Sequence, residues 1–261
     1  GNRSYYWDGS MTRTSELLWS ISAILLLIAV WWFGFSHTKF IADPLEVARA
    51  LPQFLGDPET WFHMGVTFQR VLVGLGGGIL LGMASAFAIH RSPMAHQFLS
   101  VYVSFALRTP SAIAAIMALA IFKRDEIGYM AVVGFITFPF ITVGLLDGLR
   151  SADHKLDDVA KIYRVGTLRH IRDFLVPFLA PYTFSALRNA HALAWKIVVV
   201  AEIFGAAKNG FGAEFNYAFD YFLLVELHLW LLVFMALVLF AEYGVLRTVE
   251  RRVFQWRAQK G

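Results

Sequence analysis

The chain contains no cysteine, which excludes a disulfide, a thiolate metal site and a cysteine nucleophile. Charged residues are scarce as well, at 16% of 261 residues, whereas a soluble domain carries about 25%. Hydrophobic residues make up 57%, too much apolar surface to bury in one water-soluble core, so lipid is the expected solvent. The 24 Phe and 8 Trp residues suit lipid-facing and interfacial positions.

Catalytic motifs are missing too. The eight His residues are scattered singly, no Gly-x-Ser-x-Gly is present, and this argues against a membrane enzyme. No Gly-rich phosphate loop followed by Lys-Ser/Thr occurs, so we expect no cofactor or metal in this chain, and ATP and Mg would be bound by a partner. The net charge of +4 is spread over loops, which indicates membrane topology and not nucleic-acid binding.

Apolar segments long enough to cross a bilayer predict an all-α polytopic transmembrane bundle in a single domain, 1–261. About six spans are expected, at 17–35, 66–89, 98–122, 127–149, 179–204 and 222–246. Arg108 and Pro110 interrupt the third, so the alternatives are a short span after Pro110 or five spans in all. Because the chain begins with Gly1 and not Met, we expect a truncation or tag remnant there.

The distribution of Lys and Arg predicts that both termini are cytoplasmic. With that orientation, fifteen of these residues lie in cytoplasmic segments and six lie outside. The six are Lys39, Arg49, Arg70, Lys123, Arg124 and Lys208.

Two local patterns predict packing. Asp43-Pro44 is an N-cap followed by Pro at the first helical position, and it predicts a short amphipathic outer helix on which Leu45, Ala48 and Leu51 recur. In the second span, residues four apart lie on one helix face, where small side chains let two helices approach closely. This face is formed by Gly74, Gly78 and Gly82, and it favours helix packing and a dimer.

The longest cytoplasmic loop, about 150–176, alternates charges of both signs at helical spacing. This pattern is typical of a helix exposed to water or to a soluble partner, and an ordinary solvated loop is the alternative. The loop contains Leu156-Asp157-Asp158-Val159-Ala160 and ends at Leu175-Val176-Pro177. Together with Thr67-Phe68-Gln69-Arg70-Val71 and Val200-Ala201-Glu202, it resembles ABC importer permease subunits, in particular those for taurine, alkanesulfonates, nitrate and bicarbonate.

The resemblance implies the type I importer permease fold in a bacterial inner membrane, a cytoplasmic ABC ATPase, a substrate-binding protein and a second permease copy or homologous permease. It also implies that the loop docks on the ATPase through Asp158, Val159, Ala160, Arg164 and Gly166. The chain departs from the family pattern in several places. Asp158 stands at the Glu position of the loop and Val159 at its first Ala position. Arg164 stands where the family has Gly, with Gly166 two residues later, and 122–126 reads Phe-Lys-Arg-Asp-Glu in place of Phe-Gly-x-Gly-Glu.

Ionisable residues inside the fifth span are costly in lipid and predict a water-lined translocation path. Helical spacing puts Arg188, His191, Trp195 and Glu202 on one face and Lys196 on another. For Arg188 and Glu202 the alternative is a structural role near the two membrane interfaces. Either Lys196 pairs with an acidic group, such as Glu226 or one on a second subunit, or it attracts a small anion such as a sulfonate, nitrate or bicarbonate. The rival to an importer subunit is a stand-alone secondary transporter or channel, although no internal repeat is visible.

Overall fold

The computed structural model describes residues 13–35, 41–122, 124–151, 166, 169 and 171–253. Within these ranges every regular element is helical, as the sequence predicted. The helices are α1 Arg13–Ala29, α2 Pro44–Gly56, α3 Pro58–Arg91, α4 Pro93–Arg108, α5 Ser111–Phe122, α6 Glu126–Ser151, α7 Val176–Phe204, α8 Phe211–Asp220, α9 Leu224–Leu239 and α10 Arg247–Val253. Short π-helical segments at Val30–Phe35, Ile171–Leu175 and Phe240–Leu246 extend or join them.

Three long helices, α3, α6 and α7, form the centre of the bundle. Gly74, Gly78 and Gly82 of α3 lie against successive turns of α6. A Cβ on Gly74 would stand 2.6 Å from the carbonyl oxygen of Met130, and one on Gly82 would stand 2.8 Å from that of Phe138. The close approach therefore depends on the missing side chains. This face is filled within the protomer, so it gives no support to a dimer.

The direction of each helix follows from these contacts. Gly74 meets Val133 and Gly82 meets Ile141, so α3 and α6 run parallel. Gly148 meets Leu179 on α7, so α7 runs antiparallel to both. We call the end of the bundle that holds Ser151 and Val176 the loop end, and the opposite end, where Glu126 and Phe204 lie, the Gly210 end.

The predicted third span is broken. Helices α4 and α5 meet at Thr109–Pro110 with a bend of 118°. Proline removes a backbone donor and disfavours helix at the preceding residue, which explains the break. Because α3 and α6 run parallel, the bent pair must carry the chain from the loop end back to the Gly210 end. It acts as one crossing, although it is not the continuous helix that the sequence predicted.

Among the described residues, three helices are long and apolar enough to span a membrane, or four if the bent pair is one span. The three are 58–91, 126–151 and 224–250. Helix α7 has 29 residues, long enough to cross, but its ionisable residues set it apart from these. The segment 21–34 is a shorter apolar helix. The multi-pass helical fold is therefore established, while the count of six stays a prediction.

Helix α2 begins where the sequence predicted. The Asp43 carboxylate accepts a hydrogen bond from the Leu45 amide at 2.7 Å, and Pro44 is the first helical residue. Of the three residues in the predicted apolar stripe, Leu45 and Ala48 are exposed and Leu51 packs. The face that packs is Val47 with Leu51 and Phe54, against α9 and α3. The neighbouring helices therefore select a face rotated from the one that the spacing indicated.

We expect Gly74→Ala to destabilise the protein by about 1–3 kcal/mol, because its methyl group would push α3 away from the α6 backbone. Gly77→Ala is the matched control on the same helix, since a Cβ there meets nothing within 4 Å. Thermal unfolding of both variants in detergent measures the difference. Equal melting temperatures for the two would contradict the packing role of the glycine face.

Candidate functional site

The exposed face of α7 is polar in its central part. Between Ser185 and Lys196 the exposed side chains are Ser185, Arg188, Asn189, Ala192 and Lys196. At 100° per residue, four of them (all but Arg188) fall within about 60° of one another and form one stripe along the helix. In contrast, the exposed residues of α3 between positions 72 and 87 are all apolar, and they include Leu72, Leu80 and Phe87.

A groove of about 250 Å³ opens at the loop end of this stripe. Helices α4, α6 and α7 form its walls, and Ser185 and Asn189 lie in it beside Asp147 and Tyr182. The groove therefore presents a carboxylate, a hydroxyl and an amide to a surface that is otherwise apolar. It ends short of Lys196, which lies seven residues beyond Asn189, or about 10 Å further along the helix.

Lys196 is exposed on the protomer, and no residue in the described part of the chain forms an ion pair with it. Glu226, the partner that the sequence left open, is not joined to it by a salt bridge. An ammonium in the middle of a membrane helix costs at least about 2.5 kcal/mol on insertion scales unless it reaches water or a counter-charge. Contact with lipid is therefore unfavourable for this side chain.

The other four residues predicted for the path are not brought together with Lys196. His191 and Trp195 are buried, and the Trp195 indole N–H donates to His191 Nε2 at 2.9 Å. Arg188 forms an ion pair with Glu250, which follows α9 in sequence. Glu202 is fully buried in an ion pair, the placement of the structural alternative. A path role for the three buried side chains stays a prediction that their burial does not favour.

Glu202 belongs to a buried ionic cluster at the Gly210 end. Arg70 of α3 is 1% exposed, and its Nη1 donates to Glu202 Oε1 at 2.8 Å. Its Nε and Nη2 donate to the Glu126 carboxylate at the start of α6, and its guanidinium lies 4.6 Å above the Tyr129 ring. The Thr67 hydroxyl donates to Glu202 at 2.9 Å. We call Thr67, Arg70, Glu126 and Glu202 the Arg70 cluster, and it ties α3, α6 and α7 together.

The same cluster holds the backbone of residues 205–212, which comprise the loop after α7 and the first two residues of α8 and are called the connection below. Arg70 Nη1 donates to the Asn209 carbonyl at 2.7 Å, and the Gly212 amide donates to Glu202 Oε2 at 2.7 Å. Gly210 has a φ of +119°, and a Cβ there would stand 2.7 Å from both Arg70 Nη1 and Glu202 Oε1. Only glycine fits this position, for conformational and steric reasons alike.

The sequence prediction placed Arg70 among the positive charges of the outside segments. The structure corrects this, because Arg70 belongs to α3 and its side chain is buried. The stretches that resemble the family already contained the residues of this cluster. Thr67 and Arg70 lie in one of the stretches that carry the family resemblance, and Glu202 ends another. Glu126 occupies the Glu position of the third stretch, 122–126. Two stretches that match the family, and a third that departs from it but keeps its Glu, therefore converge on one ionic cluster, which only the folded chain makes visible.

Most of the predicted docking loop lies outside the described residues. This applies to Asp158, Val159, Ala160 and Arg164. Gly166 is described and exposed, and a Cβ there would meet nothing within 4 Å. The docking role of these five positions, and a turn displaced to Gly166, stay predictions.

A second and larger groove, of about 640 Å³, lies between α3 and α9. Its lining is apolar throughout, with Trp61, Phe68 and Phe240 among its residues. Such a surface suits lipid chains or another apolar helix. It offers nothing to a charged solute, so the polar face of α7 remains the candidate site in spite of its smaller groove.

Comparison with known proteins gives consistent results. Residues 78–255 match the family described as binding-protein-dependent transport system inner membrane component. The taurine transport system permease protein TauC of Escherichia coli is 22% identical over 99% of this chain and 96% of its own length. The putative aliphatic sulfonates transport permease protein SsuC of Bacillus subtilis is 22% identical over 89% and 85%. The nitrate import permease protein NrtB of Leptolyngbya laminosa is 23% identical over 69% and 68%.

A solved structure has the same fold. One chain of an amino acid ABC transporter crystallised with histidines superposes with a TM-score of 0.62 at 14% identity, covering 81% of this chain and 99% of that one. At this identity the likeness concerns the fold alone. The family match begins within α3 and covers α4 to α10 completely.

Proposed function

The chain belongs to the family of binding-protein-dependent transport system inner membrane components, and from this premise we propose that the polar face of α7 lines an import path for a small anion. As a permease subunit of this family, it crosses the membrane several times. The proposed path lies between this chain and a second permease, either another copy or a homologous one. The proposed orientation has both termini and the loop end in the cytoplasm and the Gly210 end outside.

The observation that carries the proposal is the contrast between helix surfaces. Exposed residues between positions 72 and 87 of α3 and between positions 231 and 239 of α9 are all apolar, as lipid requires. The stripe of α7 instead exposes Ser185, Asn189 and Lys196. Polar and ionisable residues within a span face a water-filled cavity or one another. A second subunit that covers this stripe would enclose such a cavity, which one protomer alone does not.

The charge of Lys196 and the names of the relatives support an anion. The relatives are named for taurine, aliphatic sulfonates and nitrate, all of which carry an anionic group. Lys196 is the cation on the stripe, whereas the other exposed cation of α7, Arg188, lies off the stripe and pairs with Glu250. A fixed ammonium in a low-dielectric, water-lined passage raises the local concentration of an anion. Asp147 would act in the opposite sense at the loop end, so Lys196 and not the groove is the proposed point of attraction.

Energy and specificity come from partners in this proposal. The chain has no phosphate-binding loop, so ATP and Mg would be bound by cytoplasmic ABC ATPase subunits. A binding protein on the outer side would deliver the substrate, as the family description implies. The loop at 150–176 would dock on the ATPase as a short helix in a groove and would transmit its closure to α7, which follows directly.

Reconstitution tests this function. The permease is placed in proteoliposomes with its ATPase subunits, with ATP on the ATPase side and the binding protein on the other, and uptake of taurine, an alkanesulfonate, nitrate and bicarbonate is measured. We expect uptake of at least one of these anions that requires both ATP and the binding protein. Uptake by the permease alone would instead identify a stand-alone transporter. An assembled particle with a single permease chain would contradict the shared path.

We expect Ala160→Trp to lower the number of substrates imported per ATP hydrolysed by about tenfold, within the usual range of coupling energies. The bulky ring would obstruct the proposed entry of the loop into the ATPase groove. Gly56→Trp is the control, because that exposed site at the end of α2 has open space around it and lies far from the loop in sequence. Normal coupling in Ala160→Trp would remove the docking assignment.

A further inference from the structure

Helix α7 is held by two ion pairs of different character. Near the middle of the helix Arg188 pairs with Glu250, and these side chains are 51% and 32% exposed. Near its Gly210 end Glu202 pairs with Arg70, and these are 0% and 1% exposed. Fourteen residues separate Arg188 from Glu202, about 21 Å along the helix. The Gly210 end of α7 is therefore fixed by a desolvated ionic contact, whereas the middle is held by a partly solvated one.

A buried ion pair is not the most stable way to join two helices. Removing both charges from water is costly, and well-packed apolar residues of similar volume often do as well or better. What apolar residues cannot do is bind backbone groups. In the Arg70 cluster the guanidinium binds the Asn209 carbonyl, and the Glu202 carboxylate accepts from the Gly212 amide. The ion pair is thus matched to one conformation of residues 205–212.

The fit to that conformation is tight. The Phe211 amide donates to the Thr67 hydroxyl at 2.7 Å, and the Gly210 amide donates to His63 Nδ1 at 3.0 Å. The Tyr129 hydroxyl donates to the Gly205 carbonyl at 3.1 Å. If residues 205–212 moved, Arg70 and Glu202 would lose backbone partners while remaining buried. An unpaired buried polar group is expensive, so the connection and the end of α7 must change position together.

We infer that the Arg70 cluster is a positioning element that couples the connection 205–212 at the outer surface to α7, so that contact of the binding protein there is transmitted along α7 to the ATPase side. This inference rests on the proposed function and its orientation. Arg70 and Glu202 act on transport through α7 and do not touch the substrate. The link is reciprocal, as any coupling between two sites must be.

The test measures ATP hydrolysis by the reconstituted transporter with and without substrate-loaded binding protein, and takes the ratio of the two rates. The decisive variant is Arg70→Met with Glu202→Met, which removes both charges and leaves neither unpaired. We expect it to assemble and to melt above the single variant Glu202→Met, which leaves a charge unpaired, while the ratio falls about fivefold or more. A merely structural pair would leave the ratio unchanged, and that result would overturn the inference.

Two further variants each remove one carboxylate that pairs with an arginine, one inside the Arg70 cluster and one outside it. Glu126→Gln removes a carboxylate that is 59% exposed, so folding is preserved and a partial fall in the ratio is expected. Glu250→Gln breaks the solvated pair on the same helix and should keep the full ratio. If the double variant does not assemble, an unchanged ratio in Glu126→Gln overturns the inference by itself. An unmodified transporter that imports nothing under any condition would instead overturn the proposed function, and the inference with it.

Discussion

Replacing Glu202 with Met alone should destabilise the protein by about 3–5 kcal/mol, the usual cost of breaking a buried ion pair by removing one partner. The Arg70 guanidinium would keep its contact with Glu126 but would lose the carboxylate at 2.8 Å in a site with no access to water. The Thr67 hydroxyl and the Gly212 amide would lose their acceptor as well. Thermal unfolding in detergent, or resistance to proteolysis, measures this loss.

Glu250→Met is the matched control, because it breaks the other ion pair of the same helix. That pair is partly solvated, so its contribution is within about 1 kcal/mol. Adding Arg70→Met to Glu202→Met should recover the part of the lost stability that comes from the unpaired guanidinium, since no unpaired charge then remains. If Glu202→Met and Glu250→Met melted at the same temperature, the cluster would not be the buried structural anchor described above.

Lys196→Met should lower the rate of anion import about tenfold or more, in line with the effect of a fixed charge that concentrates ions in a narrow passage. Methionine keeps much of the length of the side chain and removes the charge, so assembly and melting temperature should be unchanged. The measurement is the initial rate of ATP-dependent uptake at low substrate concentration. Arg in place of Lys196 should restore much of the rate, because the charge is kept.

Arg49→Met is the control for a general charge effect. Arg49 is also exposed, but it lies on α2 and neither on the stripe nor in the connection 205–212. Its loss should change import little. If Lys196→Met made the complex more stable and left import unchanged, the Lys196 ammonium would destabilise the complex and have no role in import. An equal fall in the uptake rate of both variants would mean that the total surface charge, and not a defined path, sets this rate.

Much of the fold was predictable because it follows from local rules. The apolar segments are long enough to cross a bilayer, and in the absence of water each backbone must satisfy its own hydrogen bonds, which makes helices obligatory. The Asp43 cap and the glycine repeat of α3 were likewise readable from a few neighbouring residues. The break at Pro110 was visible as an interruption, but its angle depends on how α5 packs against α6.

The site was predictable only in part. Helical spacing separated Lys196 from the face of His191 and Trp195, because the period of a helix is fixed. It did not reveal which face would be covered. The sequence likewise left Arg70 among the outer charges and Glu202 among the path residues, since nothing near either residue names its partner.

Sequence alone thus determined the class of protein, the helical character of its spans and the family to which it belongs, since these depend on composition and on order along the chain. The tertiary structure decided which charges are paired. Arg70 and Glu202 are 132 residues apart, and only the parallel packing of α3 on α6, with α7 antiparallel beside them, brings the two together. Burial of that pair, and exposure of Lys196 six residues earlier on α7, are consequences of long-range packing, which no local pattern records.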